Sequence, residues 1–507
     1  MNRSLRPLAT ALGVLLVALA ALAPSVLPRA AAQEGGWSNP TNISRSAIRS
    51  WFPDIKVDVT GMVHVVWCET QRERDGREAE SIHYARWDGY HWSEPHSIVA
   101  QQADIRRNAL AIGAGELLLV YNQTSMAHMG LVMSAAPLDQ AWLAPAWSRA
   151  RTVNAFGGTY YSDMDVDARG TVHLLFDDWG YDAETDSMKG FADIYYRRSA
   201  DNGRSWSVAE NLSSSPYGSS RAQLKIDATG GLHATWDEGW DRLSGMGEAH
   251  HSIYRYSADG GDTWSPPVTV SSPITGTEQL VSAADGQGSV LLVWRVRDRD
   301  EIYYRWSTDG GVEWTDAEQI PGVWSREWGI PFDIYETAVD SAGNMHLLVV
   351  GRAEPAFGAS LQLYHVVWDG AAWSQPTIVW QGAGYPEYPR LAISEGNHLH
   401  AVWFVRDDLW VGKTYNIWYS DLVVPVPRQT PAPTLTPLPS PTTTPSVTPF
   451  PSATPYPTLA SIAHRELHDD LTSGSELPAV KRLGVALAPV AALLLITIVF
   501  RRLWRRI

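Results

Sequence analysis

The sequence predicts an all-β protein: a seven-bladed β-propeller with an N-terminal strand closing the last blade, a Pro/Thr-rich stalk and one C-terminal transmembrane helix. Three observations predict it. A strand–turn–strand pattern recurs with glycines every 53 to 60 residues, a strand at the mature N-terminus completes the last copy, and a proline-rich run precedes an apolar C-terminal segment. The chain has 507 residues, a formal net charge of −15, 24 Trp against 9 Phe, and one Cys. At that length a single domain has to be built from repeats. Tryptophan suits small repeated sheet cores, because it brings large area and one N–H that needs a partner. Cys68 lies in the apolar run Val65-Val66-Trp67-Cys68 and has no second cysteine to pair with, so it reads as a small buried hydrophobe. The acidic balance excludes nucleic acid as a partner, since phosphates need Lys and Arg facing them.

In chain order, residues 1–32 read as a signal peptide: Arg3 and Arg6, an apolar run from Ala11 to Ala23, and the small stretch Ala30-Ala31-Ala32. An uncleaved anchor is the alternative. Residues 33–424 hold the repeats. Copy one runs Asp58-Val-Thr-Gly61-Met-Val-His64-Val-Val-Trp67, copy three Asp167 to Phe176, and copy four Asp227 to Trp236. Asp285 to Trp294, Asp340 to Val349 and Gly396 to Trp403 follow, and a degenerate copy surrounds Gly115 to Tyr121. Period-two alternation broken at Gly means strands, and about four strands per repeat make one propeller blade. The last copy stops after Asn416 to Asp421, and Trp37 to Ser44 matches the missing fourth strand. Their pairing would close the ring and remove exposed edges.

Residues 425–460 form a Pro/Thr/Ser linker that cannot pack a core and extends as polyproline II. Residues 461–482 are a polar juxtamembrane stretch. Residues 483–500 are uncharged and just long enough to span a bilayer, and Arg501, Arg502, Arg505 and Arg506 in the tail 501–507 belong inside. The expectation is an exported single-pass protein with its head outside and its C-terminus cytoplasmic. Leu477-Pro478 lacks the Thr-Gly of a cell-wall sorting signal.

Ser199 to Trp206, Ser257 to Trp264 and Ser307 to Trp314 each fit Ser/Thr-x-Asp-x-Gly-x-x-Trp, with shortened forms at Asp88 to Trp92 and Asp369 to Trp373. The Asp accepts turn N–H groups, the Gly takes positive φ and the Trp packs beneath. These hairpins resemble the Asp-box (BNR-repeat) propellers, of which the sialidases are best known, and the resemblance covers residues 37 to 423. It implies a site on the face carrying the loops that enter strand one and leave strand two. It also implies three arginines that grip a carboxylate, an Asp acid/base, and a Tyr paired with Glu. The place of the family's Phe-Arg-Ile-Pro is similar to Ser50-Trp51-Phe52-Pro53, with Trp51 where the arginine is required. Glu69 falls near the family's Asp, and Tyr161-Ser162 resembles the nucleophile's context. Seven-bladed closure departs from the six blades general in sialidases.

The residues leaving strand two are polar in every copy: Glu69, Asn122-Gln123, Asp177-Asp178-Trp179, Asp237-Glu238 with Trp240, Arg295 with Arg297, Arg352 with Glu354, and Arg406-Asp407. Acids gather in blades three and four, arginines in blades five to seven. Such a ring suits an anionic or polyhydroxylated ligand stacked on tryptophan. The plain alternative is that exposed loops are polar. Trp51, Arg106, Trp179, Arg221, Trp240, Arg295, Arg352, Arg390 and Arg406 are the ligand candidates, and Glu69, Tyr161, Asp178 and Glu238 the catalytic ones. No cofactor is expected. His64, His173, His233, His346 and His400 repeat around the ring and read as a structural hydrogen bond rather than converging metal ligands. Asp182, Glu184 and Asp186 form an acidic loop, solvated or calcium-binding. Three functions compete: recognition of a glycan or other extracellular ligand without turnover, an exo-sialidase or other glycoside hydrolase, and an envelope protein–protein scaffold.

Overall fold

The computed structural model describes residues 36–429, except 73–77, 103–106, 126–127, 155–157, 180, 183–186, 189–190, 240–248, 297–298, 327–334, 356–359 and 409–412. The stalk beyond 429, the proposed span 483–500 and the signal segment 1–32 lie outside the described residues. Among those described, no helix is long and apolar enough to cross a membrane.

The fold is all-β and propeller-like. Five four-stranded antiparallel sheets are joined by one eight-stranded sheet and a small two-stranded ribbon. The eight-stranded sheet is two four-stranded groups meeting at a single parallel bridge, Arg49 to Tyr415. One of these groups is Arg49–Val57, Val63–Arg72, Glu78–Trp87 and His96–Gln102; the other is Tyr385–Ser394, His398–Arg406, Tyr415–Val423 and Thr41–Asn42. The first strand of each group lies beside the first strand of the next, and that of the last group beside that of the first.

The expected pairing of the two chain ends is present. Thr41 faces Tyr419 and Asn42 faces Trp418, antiparallel. Ser38 N donates to Asp421 O at 2.8 Å and Ile43 N to Ile417 O at 2.8 Å. Ile43 is buried, packed with Ile417 and Tyr419.

Cores lie between neighbouring sheets. One joins Leu118, Met133, Met164, Leu174 and Phe176 from two successive groups. Trp67, Trp236, Trp294 and Trp403 are fully buried at the same place near the end of strand two. Carboxylates staple first strands together across groups: Asp54 Oδ2 accepts Leu110 N at 2.7 Å and Asp163 Oδ2 accepts Leu224 N at 2.9 Å. A satisfied buried carboxylate of this kind fixes the register of both strands.

The repeated histidines make the expected structural bond. Nδ1 of His64, His173, His233 and His400 lies 2.7 to 2.8 Å from the hydroxyls of Tyr84, Tyr196, Tyr254 and Tyr419, and His346 meets His365. Nε2 of His233 and His346 faces the turn carboxylates Asp227 and Asp340 at 3.1 and 3.2 Å. Among the described residues no group of three or more His, Cys, Asp or Glu could hold a metal. In the boxes, Asp201 accepts Ser205 N at 2.8 Å, Asp259 accepts Thr263 N at 2.8 Å, and Gly203, Gly261 and Gly311 take positive φ.

Two outcomes follow. Truncating buried Ile43 in the Ile43→Ala variant should lower stability by about 2–5 kcal/mol in equilibrium urea unfolding; a cost under about 1 kcal/mol would show that the N-terminal strand does not hold the ring. Burial opposes the charge on Asp227, but bonds from His233, Thr229 and Gly231 outweigh it and hold the carboxyl at about 2. A depressed folded value gives stability that is present above the unfolded value and lost as pH falls through the folded one. The wild type should therefore lose stability between about pH 4 and pH 2, and Asp227→Asn should be less stable near neutrality and flatter across that window.

Candidate functional site

The end of the ring opposite the histidine turns is shaped by bulges. Register breaks fall at the same position in four first strands, between Trp51 and Asp54, Ser220 and Gln223, Glu278 and Val281, and Glu387 and Arg390. Phe52, Arg221, Gln279 and Tyr388 sit in these bulges with φ of 53°, 61°, 62° and 52°. A bulge turns its side chain away from the pleat, and those of Phe52, Arg221 and Tyr388 gather around Arg107 and Tyr161.

Arg107 is the centre of that meeting. Its guanidinium lies 3.8 Å from the Phe52 ring, 4.3 Å from Tyr161, 4.9 Å from Tyr160 and 5.0 Å from Tyr388. Its Nη2 donates to the Tyr161 hydroxyl at 3.0 Å. Arg221 lies 5.3 Å from the Tyr161 ring and Arg390 3.6 Å from the Tyr388 ring. Cation–π contacts strengthen when desolvated, and Arg107 is 2% exposed. Beneath, a cavity of about 20 Å³ lined by Asp54, Asn108, Asp163, Arg221 and Glu336 has room for about one water.

The arginine side is a buried ion-pair network. Arg295 Nε lies 3.6 Å from Glu278 Oε1, its cross-strand partner. Arg352 Nη2 meets Asp300 Oδ2 at 3.1 Å. Arg406 Nη2 donates to Glu387 Oε1 at 2.6 Å, and Arg326 Nη1 donates to the other oxygen of Glu387. Glu387 and Arg326 are both fully buried. Burial pulls Arg326 down to about 10, against the attraction of Glu387. Tyr335, also fully buried beside Arg295, Glu278, Asp237 and Arg221, is pushed well above the usual phenol by desolvation.

The acidic side is equally engaged. Glu69 Oε2 accepts the indole N–H of Trp67 at 3.3 Å and Ser50 Oγ at 3.0 Å. Glu238 Oε1 accepts the indole N–H of Trp236 at 3.1 Å, and burial raises it above the usual carboxylate range. These two candidates are one element used twice, a Trp-x-Glu at the end of strand two. Asp178 takes Thr159 Oγ1 at 3.2 Å and Asn154 Nδ2. Asp177 is pushed up to about 6 by burial although the N–H groups of Tyr160 and Tyr161 hold it at 2.8 Å.

The structure thus brings Tyr161, Arg221 and Arg390 together around Arg107, and Arg295, Arg352 and Arg406 into the network of Glu278, Asp300 and Glu387. Trp51 stacks on Phe52 at 4.6 Å, under Arg49. Half-buried Trp179 lies against Gly158, where a Cβ would come within 2.8 Å of the indole. Arg106, Trp240, Arg297, Glu184 and Asp186 lie outside the described residues. Sequence reasoning missed Arg107, Arg326, Tyr335, Tyr388, Glu278 and Glu387. A pattern was available for the last two, since Glu278-Gln279 and Glu387-Tyr388 occupy the bulge position of Ser220-Arg221.

Removing one charge of the network should be costly. Glu387→Gln leaves two buried guanidinium groups without their carboxylate and should lower stability by about 3–5 kcal/mol in urea unfolding; an unchanged midpoint would mean the network is not formed.

Residues 160–401 match the BNR repeat-like domain. No curated protein matches the sequence. Among solved structures the chain is similar to a protein of unknown function from Dyadobacter fermentans, at 12% identity and TM-score 0.45, covering 76% of this chain and 98% of that one. It is similar to NanB sialidase from Streptococcus pneumoniae at 14% identity and TM-score 0.42, covering 76% and 71%. It is also similar to polysaccharide lyase Uly1 at 12% identity and TM-score 0.48, covering 78% and 94%.

Proposed function

We propose, for a chain whose residues 160–401 match the BNR repeat-like domain, a seven-bladed propeller that recognises a glycan at its bulged mouth without hydrolysing it. The five separate sheets and the two halves of the eight-stranded sheet support the blade count. In this reading the head is exported and carried on its stalk by the segment 483–500, with its partner an extracellular glycan or glycosylated protein.

One observation carries the reading. The groups that a hydrolase would turn toward substrate are buried and paired within the fold: Arg295, Arg352 and Arg406 are 1%, 3% and 4% exposed, Tyr161 5% and Asp178 2%. The place where the family resemblance requires an arginine holds Trp51 and Phe52. What remains reachable at the mouth is aromatic and polar: half-buried Trp51, Tyr160 and Trp179, and Glu238. Aromatic faces beside hydrogen-bonding groups suit sugar rings.

Hydrolysis is the second reading, and Tyr335 favours it, a tyrosine beside a glutamate and an arginine. Burial that keeps its phenol protonated argues against it as a nucleophile. The full chain should bind glycans saturably on an array, and Trp179→Ala should weaken that binding about tenfold or more, the loss of one stacking face. A fluorogenic sialoside should release no fluorophore above the blank. Release that disappears in Tyr335→Phe or Arg295→Ala would overturn the proposal in favour of a sialidase, and an array without any saturable glycan would overturn it in favour of a protein scaffold.

A further inference from the structure

We propose that the seam where the ring closes carries a second site, a groove for a single neutral hexose, distinct from the mouth. It lies between the turn Ser394–His398 of the last group and the short hairpin Asp88–Trp92 of the first. Arg428, just past the last strand, closes its side. The groove has a volume of about 210 Å³, the space of about seven waters.

The seam is open for a structural reason. At two other junctions a full-length box reaches the preceding sheet. A Cβ on Gly261 would meet the Tyr196 hydroxyl at 2.1 Å, and one on Gly311 would meet Tyr254 at 3.2 Å. Arg198 also pairs with Asp262 across that contact. The hairpin at the seam is a shortened box, and a groove lies between it and the turn of the last group.

The lining selects the ligand. Trp87 is half-buried and Tyr90 is 49% exposed, giving two aromatic surfaces to one small space. The charges are already matched. Arg428 pairs with Glu395, His398 Nε2 meets Asp421 Oδ2 at 2.8 Å, and Asp88 accepts the N–H groups of Tyr90 and His91 at 2.9 and 2.7 Å. An anion would find no spare cation there. A neutral ring with one apolar face and a rim of hydroxyls fits aromatic faces flanked by a carboxylate, a guanidinium and Ser394. Because the first and last groups build the groove, a ligand bound only by the closed ring also stabilises the closure.

Saturation-transfer NMR and thermal unfolding of the full chain with methyl β-galactoside, methyl α-mannoside and N-acetylglucosamine test this. At least one should bind saturably with Kd on the order of 1 mM and raise Tm. Tyr90→Ala and Arg428→Ala, both at exposed positions, should each keep the unliganded Tm and weaken binding about tenfold or more. Trp179→Ala acts at the mouth, so the array signal and the hexose signal fail separately if only one reading is wrong. No saturable binding of any of the three sugars up to about 50 mM, or full binding in either the Tyr90 or the Arg428 variant, overturns the proposal.

Discussion

The ring depends on a short antiparallel contact between residues almost four hundred positions apart, Thr41–Asn42 against Trp418–Tyr419. Each sheet buries its faces against its two neighbours, so the last must find the first or both present apolar surface to water. The contact is small, but closing a long loop is not prohibitive. Loop entropy grows only with the logarithm of length, about 0.6 kcal/mol per doubling. Ile43, Ser38 and Ser44 add a buried side chain and hydrogen bonds to Ile417 and Asp421. The one parallel bridge between Arg49 and Tyr415 then lets the closing group and the first group run on as one sheet.

Closure explains the division of labour between the two ends of the strands. At the turn end, His233 joins Asp227 to Tyr254 and ties strands one, two and three of a group together. The same tie recurs around the ring and leaves little freedom there. At the other end the first strands approach the axis, and the bulges at Phe52, Arg221, Gln279 and Tyr388 direct side chains inward. Arg107 can sit among four aromatic rings because four groups deliver those residues to one point. A non-glycine residue at positive φ costs of order 1 kcal/mol, and the contacts around Arg107 offset it.

The periodic parts of this architecture were legible in the sequence. Alternation, the Asp–Gly turns, the three full boxes and the split last repeat are local patterns, and local patterns survive translation into strands. The mouth was not legible in the same way, because a bulge shifts which residue faces the axis. Arg107, which the alternation does not mark, lies among the rings. Glu69 and Glu238 read as acids leaving strand two, yet the strands continue to Arg72 and Gly239. The indole two residues earlier draws each carboxylate back onto the sheet. Arg326 stands in a connection with no alternation, and nothing in its neighbourhood marked it as the partner of Glu387.

The ion-pair network also sets what the mouth can do, and magnitudes decide it. A ligand carboxylate that captured Arg406 or Arg326 would gain about 1.5–3 kcal/mol for a hydrogen bond to a charged group. It would also take that partner from Glu387, which is fully buried and shared by both guanidinium groups. Breaking a buried pair costs about 3–5 kcal/mol, since the remaining charge has no solvent to return to. The exchange is unfavourable unless the whole cluster rearranges. Arginines arranged in this way hold sheets together better than they hold a substrate. In the proposed reading, recognition falls outward, to aromatic side chains and hydroxyl-bonding groups that can engage a sugar without giving up a partner inside the fold.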